Sequence, residues 1–230
     1  MNMSEVCNCS TCIIKSTPAT TLNNHELEKL CCNSVGISFT KGEQIIKQGS
    51  LSTNIIYIKD GLVKLHMPGP LKKEEIIKVA KAPEFIGLPS SFADRVHPYS
   101  ATALTKVDAC FIDLNTFNEF IVSNGDFAQR LITCLSEDII NHFSRCASKT
   151  QKQLCGYMAE VLLFFSESIF DSDSFEIPLN RIELASFVGS TRESVTRILK
   201  DFVDDGIIEM DHRKITILNA ELLNKISVTG

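Results

Sequence analysis

The segment LNRIELASFVGSTRESVTRILKDFVDDGIIE, residues 179–209, restricts what this chain can fold into more than any other stretch. Its first half carries Ile182, Leu184, Ala185 and Val188, and Gly189 follows where a helix must stop and turn with positive φ. Ser190 lies three residues before Glu193, the spacing of a capping box that starts a second helix. Val195, Ile198, Leu199 and Phe202 form the apolar stripe of that helix. This leaves Arg192, Glu193, Thr196 and Arg197 on its other face, near the N-terminal half. Two short strands, GIIEMD and KITILN, and a final helix complete the order of a winged helix-turn-helix.

Such a face has a chemistry of its own. Arginine donates two hydrogen bonds to guanine O6 and N7, and glutamate accepts one from cytosine N4. Arg192, Glu193, Thr196 and Arg197 are therefore candidates for reading base edges of double-stranded DNA. Thr191 and Ser194 are candidates for phosphate oxygens beside the helix N-terminus, and Arg213 and Lys214 in the hairpin for the flanking backbone. A solvated surface helix is the plainer reading, but turn glycine, cap spacing, apolar stripe and wing all agree on DNA. The formal net charge of -5 gives no global attraction to a polyanion, so the cationic surface must be local.

Upstream, 230 residues at 44% hydrophobic suit two modest domains. Residues 1–21 form an arm with Cys7, Cys9 and Cys12 and no hydrophobic period. Residues 22–122 open with a short helix in LNNHELEKLCC, capped by Asn23 or Asn24, and continue as short β-rich runs broken by Gly42, Gly49, Gly61 and Gly87, the pattern of a small barrel or roll. Residues 123–150 carry Phe127, Leu131, Leu135, Ile139 and Phe143 at spacings of four, a stripe expected to be a dimer seam. Residues 151–230 hold the winged helix-turn-helix. No apolar run approaches the ~18 residues that span a bilayer, and the N-terminus lacks a signal-peptide plan, so a cytoplasmic chain with no membrane partner is expected. Nine cysteines, an odd count, then read as reduced thiols with room for a metal site.

Two stretches carry a family resemblance. FTKGEQIIKQGSLSTNIIYIKDGLVKL resembles the cyclic-nucleotide-type β-roll of the CRP/FNR regulators, and VGSTRESVTRILKDFVDDGII resembles their recognition helix and wing. The resemblance covers nearly the whole chain. It implies an α+β fold in which a cyclic-nucleotide-binding-type β-roll, a long dimerisation helix and a C-terminal winged helix-turn-helix follow one another. It also implies a homodimer that reads an inverted repeat with half-sites one DNA turn apart, with RNA polymerase as a further partner. Arg192, Glu193 and Arg197 match the positions used by the cyclic-AMP receptor branch, which favours a TGTGA-like half-site.

The sensor region departs from that branch. The family's nucleotide pocket needs Gly-Glu for the ribose and Arg-Ser or Arg-Thr for the cyclic phosphate. Here Leu88 replaces the glutamate, and Tyr99 precedes Ser100 where arginine is expected. Cyclic AMP is therefore not the expected effector. The oxygen-sensing branch has an N-terminal cysteine cluster and one cysteine where Cys110 stands, so the resemblance implies that Cys7, Cys9, Cys12 and Cys110 hold a 4Fe–4S cluster. C-x-C-x2-C is more compact than that branch's spacing, and zinc or no metal at all are the alternatives. His25, His66 and His97 leave a haem-bound gas open as the signal. The chain shows no nucleophile elbow, phosphate loop or metalloprotease signature, so no enzyme is expected. A nucleotide-sensing module without DNA contact would explain the roll but not the arginine-bearing helix.

Overall fold

The structure, a computed structural model, describes residues 2–3, 18–69 and 74–230. It divides into two compact units, Met1–Met67 with Ile77–Ile139, and Pro68–Ile76 with Ile140–Gly230.

The first unit is a β-roll of two antiparallel sheets. The chain runs β1 (Asn2–Met3), a 3-10 turn (Pro18–Thr21), α1 (Asn24–Cys32), β2 (Ser34–Phe39), β3 (Gln44–Ile46), β4 (Asn54–Asp60), β5 (Leu62–Pro68), β6 (Glu74–Lys81), β7 (Glu84–Ile86), α2 (Leu88–Phe92), β8 (Ser100–Ala103), β9 (Val107–Asp113) and α3 (Leu114–Ser123). One sheet has the order β1-β2-β9-β4-β7 and the other β3-β8-β5-β6. Strand alternation sorts each side chain to one of two cores. On β4, Ile56 and Ile58 point between the sheets with Val63, Ala101 and Val107, while Ile55 and Tyr57 point outward. On β9, Ala109 joins the inner core, while Cys110 and Ile112 join the outer one.

That outer face would be wet without the helices that cover it. Leu27 and Leu30 of α1, Phe117 and Phe120 of α3, and Phe127 and Leu131 close over it. The rings of Phe117 and Phe127 meet edge-on at 5.2 Å. The start of α1 follows the sequence reading. Asn23 is the cap, its side chain accepting from the Glu26 N–H at 3.0 Å while Glu26 accepts from the Asn23 N–H at 2.8 Å.

Helix α4 (Gly125–Gln151) corrects the expected seam. Phe127 and Leu131 are buried in the roll's own outer core, and Leu135 packs against it. Ile139 and Phe143 are exposed, at 51% and 66%, together with Ile132 at 63% and Ile140 at 61%. The cause is geometric. A spacing of four advances about 40° past a full turn at each step, so a stripe built on it drifts steadily around the helix and does not stay on one face. A spacing of seven drifts only about 20°, and it links Ile132 to Ile139.

The second unit continues with α5 (Leu154–Leu163), a π-helical turn (Phe164–Phe170), β10 (Ser174–Glu176), α6 (Arg181–Val188), α7 (Arg192–Asp204), β11 (Ile208–Asp211), β12 (Lys214–Ile217) and α8 (Ala220–Thr229). Its three strands pair antiparallel in the order β10-β12-β11. Phe165 is fully buried and packs against Phe175 and Phe187, which fixes α6 on the small sheet.

Candidate nucleic-acid interface

Helices α6 and α7 are joined by a turn that the sequence dictates. Asn180 caps α6, accepting from the N–H groups of Ile182 and Glu183, and Glu183 reaches back to the Asn180 N–H at 2.8 Å. At the other end Gly189 has φ 72°, its N–H donates to the Ser186 carbonyl, and the Ser190 N–H donates to the Ala185 carbonyl at 2.8 Å. This pair of bonds is a Schellman closure. A Cβ on Gly189 would also run into the Lys149 side chain.

The closure moves the next cap by one residue. With Ser190 engaged in ending α6, Thr191 caps α7, its hydroxyl accepting from the Ser194 N–H at 3.2 Å and donating to Ser194 Oγ at 3.0 Å. The Ser190–Glu193 capping box expected from spacing therefore gives way to a Thr191 cap. In α6, Ile182 is 65% exposed and stands outside the apolar face formed by Leu184, Ala185 and Val188.

Val195, Ile198, Leu199 and Phe202 are buried, as their spacing requires. Arg192, Glu193, Thr196 and Arg197 are exposed on one face, and Lys200 extends the same face although the sequence reading passed over it. The Thr196 hydroxyl donates to the Arg192 carbonyl at 2.7 Å, which fixes its rotamer against the helix. The cations cluster toward the N-terminal half, while Asp201 and Asp204 sit exposed toward the C-terminal end. Helix and side-chain charge thus reinforce each other, because the N-terminus of a helix is its positive end.

The wing modifies one assignment. Between β11 and β12, His212 turns the chain with φ 52°, and Lys214 is exposed. Arg213 is not presented in the same way. Its Nη2 donates to the Pro178 carbonyl at 2.8 Å, and its Nε is buried with no hydrogen-bond partner among the described residues. Burial, with the Arg213 charge second, lowers the pKa of neighbouring Arg181, whose Nη2 lies 2.7 Å from Met210 Sδ. Arg213 therefore holds the base of the wing as a side chain already committed within the fold.

In the β-roll, the turn at Gly87 gathers the polar side chains of the sensor region. Gly87 has φ 89°, and its N–H donates to the Tyr99 hydroxyl at 3.1 Å. Ser91 Oγ donates to the Gly87 carbonyl and lies 2.6 Å from Ser52 Oγ, while Ser90 Oγ meets His97 Nδ1 at 3.0 Å. Leu88 is buried in the outer core. These groups bond to one another. Burial raises the Tyr99 pKa and lowers that of His97.

Cys110 is buried at 5% on the outer face of β9, in the same cluster as Ala19, Leu22 and Leu30, with Cys31 packed against it. The segment following the N-terminal cysteines thus lies over the strand that carries Cys110. Cys7, Cys9 and Cys12 fall outside the described residues. Among the described residues, no three histidine, cysteine, aspartate or glutamate side chains form a metal-binding group. His66 Nε2 lies 2.9 Å from Thr102 Oγ1, so this ring is engaged within the roll. No helix among the described residues is long and apolar enough to cross a membrane.

Comparison with known proteins agrees with this geometry. Residues 37–124 match the cyclic nucleotide-binding domain, and residues 157–226 the Crp-like helix-turn-helix domain. The chain is 22% identical over 189 residues to the transcriptional activator protein FnrA of Stutzerimonas stutzeri, covering 80% of this chain and 77% of that protein. It is also 22% identical over 191 residues to the CRP-like cAMP-activated global transcriptional regulator of Mycobacterium tuberculosis, covering 81% of this chain and 85% of that one. Among solved structures, FixK2 from Bradyrhizobium japonicum superposes with a TM-score of 0.78 at 16% identity, over 86% of this chain and 98% of that chain.

Proposed function

Because the chain belongs to the Crp/Fnr family of DNA-binding transcription regulators, we propose that it reads an inverted repeat as a homodimer, with Arg192, Glu193, Thr196 and Arg197 facing the base edges. The observation that carries this reading is the exposed cationic half of α7, set on a buried apolar stripe and behind a fixed cap. Arginine supplies bidentate donors to guanine, and Glu193 supplies an acceptor for cytosine. Lys200 and Lys214 add phosphate contacts, and the Thr191 and Ser194 hydroxyls lie beside the positive end of the helix. Arg213 contributes by holding the wing rather than by reaching for the backbone.

Homodimerisation is supported by α4. Ile132, Ile139 and Phe143 are large, exposed and apolar along one helix. A two-fold axis matches such a face with its own copy. Two recognition helices then stand at half-sites about 10–10.5 bp apart, and the bound dimer is available to RNA polymerase in the cytoplasm.

For the signal, we read Cys7, Cys9, Cys12 and Cys110 as the ligand set of a 4Fe–4S cluster. Thiolate is the donor such clusters take, and Cys110 lies under the segment that leads out of the N-terminal arm. Such a cluster supplies sensitivity to oxygen. The chain's own part is to present Cys110 from a rigid strand, so that a change at the arm reaches the core shared by α1, α3 and the start of α4. Cyclic AMP fits poorly, because Tyr99 and Leu88 fill the places of the arginine and glutamate that would hold it, and Tyr99 already accepts from the Gly87 N–H.

The direct test is duplex binding as a function of salt. Replacing Arg192 and Arg197 together with alanine removes salt-sensitive binding if α7 reads DNA, whereas a nucleotide-sensing module without DNA contact predicts no change. For the sensor, anaerobic purification yields a brown protein that bleaches in air and loses its colour in Cys110→Ser. A colourless, iron-free protein after cluster reconstitution contradicts the cluster.

A further inference from the structure

We propose that His142 and Cys146 of α4 form one half of a zinc site, and that a second copy of the chain completes it as a His2Cys2 set. The inference rests on the homodimer reading above. Its first support is a distance. His142 Nε2 and Cys146 Sγ lie 3.5 Å apart, both on exposed residues. A tetrahedral zinc ion with Zn–N near 2.05 Å and Zn–S near 2.3 Å places nitrogen and sulfur about 3.6 Å apart. One turn of α4 therefore already presents one edge of the coordination tetrahedron, by the same i,i+4 neighbourhood that pairs side chains on any helix.

The second support is position. Cys146 follows Ile139 by seven residues and Phe143 by three, so it continues the exposed apolar stripe toward the end of α4. In a dimer whose two α4 helices run parallel, with the two-fold axis along that stripe, a residue at the seam lies near its own symmetry mate. Two edges brought together this way make four donors, the number a structural zinc takes. One copy cannot close the site alone, because no group of three such donors exists among the described residues.

Charge is consistent with the proposal. Binding requires neutral imidazoles and thiolates, so each Cys146 releases its proton to solvent and two thiolates cancel the charge of the ion. The neighbouring cations have other contacts in the fold. The Arg145 guanidinium lies 4.3 Å from the centre of the Phe187 ring, and the Lys149 side chain covers Gly189. A zinc ion held in this way favours the dimer by mass action and makes its population depend on zinc supply.

The test uses reduced full-length protein and zinc itself, comparing the parent with His142→Asn and Cys146→Ser. Both residues are exposed, so thermal melting checks that each variant keeps the fold. Because the N-terminal thiols can also take zinc, the readout is the difference between proteins after dialysis. The expected result is about half an ion fewer per protomer in each variant. Sedimentation shows the parent dimer dissociating at least about tenfold less readily with zinc than without, and neither variant shows that shift. Equal zinc content in three dimeric proteins overturns the site and leaves the dimer standing. A zinc difference in a protein that stays monomeric overturns the shared site, and a monomer with equal zinc content overturns both readings.

Discussion

The exposed face of α7 and the turn at Gly87 are both rich in polar side chains, yet they spend them in opposite ways. At Gly87 the hydroxyls of Ser52, Ser90, Ser91 and Tyr99 and the His97 ring bond to one another and to the local backbone. On α7 the apolar groups Val195, Ile198, Leu199 and Phe202 look inward, while Arg192, Glu193 and Arg197 face solvent. A surface that recognises something outside the molecule keeps its donors for that partner. A turn that satisfies its own polar groups contributes stability instead.

The contrast predicts that changes on α7 separate binding from folding, and that changes at the turn do not. The largest expected effect is that of Arg192→Ala with Arg197→Ala. Each arginine is worth about 1–3 kcal/mol in duplex affinity, while melting moves little because both side chains are exposed. Fluorescence anisotropy beside a thermal melt reads the two quantities separately. A large melting shift would break the comparison.

Gly189→Ala comes next. A non-glycine residue at φ 72° costs about 1–2 kcal/mol, and the added Cβ meets Lys149. Denaturant unfolding should register that loss, and duplex affinity should fall with it because the turn aims α7. Thr191→Ala removes the cap of α7 at about 1 kcal/mol. Thr191→Ser restores most of it, which calorimetry can follow.

The smallest effect is a pH dependence at the Gly87 turn. Burial holds the His97 pKa below its usual value. Between the folded and unfolded values, the unfolded chain therefore binds the extra proton. The contribution of His97 is then complete above about pH 6.5 and is lost as pH falls toward the folded value. Unfolding curves of His97→Asn should show a weaker loss on the acid side. Identical pH profiles for parent and variant would remove His97 from that account.

Much of this architecture is legible in the chain because it is local. The Asn23 cap and the Gly189 turn follow from spacing and residue type. What was misplaced depends on partners that spacing cannot show. The Ser190–Glu193 box does not form because the Ser190 N–H, which Glu193 would accept, closes α6 onto the Ala185 carbonyl, and Thr191 caps α7 instead. Arg213 reads as a surface cation until Pro178, 35 residues away, takes its guanidinium. Phe127 and Leu131 read as seam because their stripe shares one spacing with Ile139 and Phe143, yet the roll needs them to cover Phe117 and Phe120. The Tyr99 bond to Gly87 is likewise tertiary, joining β8's approach to the turn before α2.

The central claim is that two copies of α7 read an inverted repeat. Its most direct measurement is selection of bound duplexes from a random pool by the purified protein, followed by sequencing. The account predicts enrichment of a two-fold symmetric site whose half-sites are centred about 10–10.5 bp apart, with guanine preference lost in the Arg192→Ala and Arg197→Ala pools. Enrichment of no sequence, or of a single asymmetric half-site unaffected by both replacements, would contradict it.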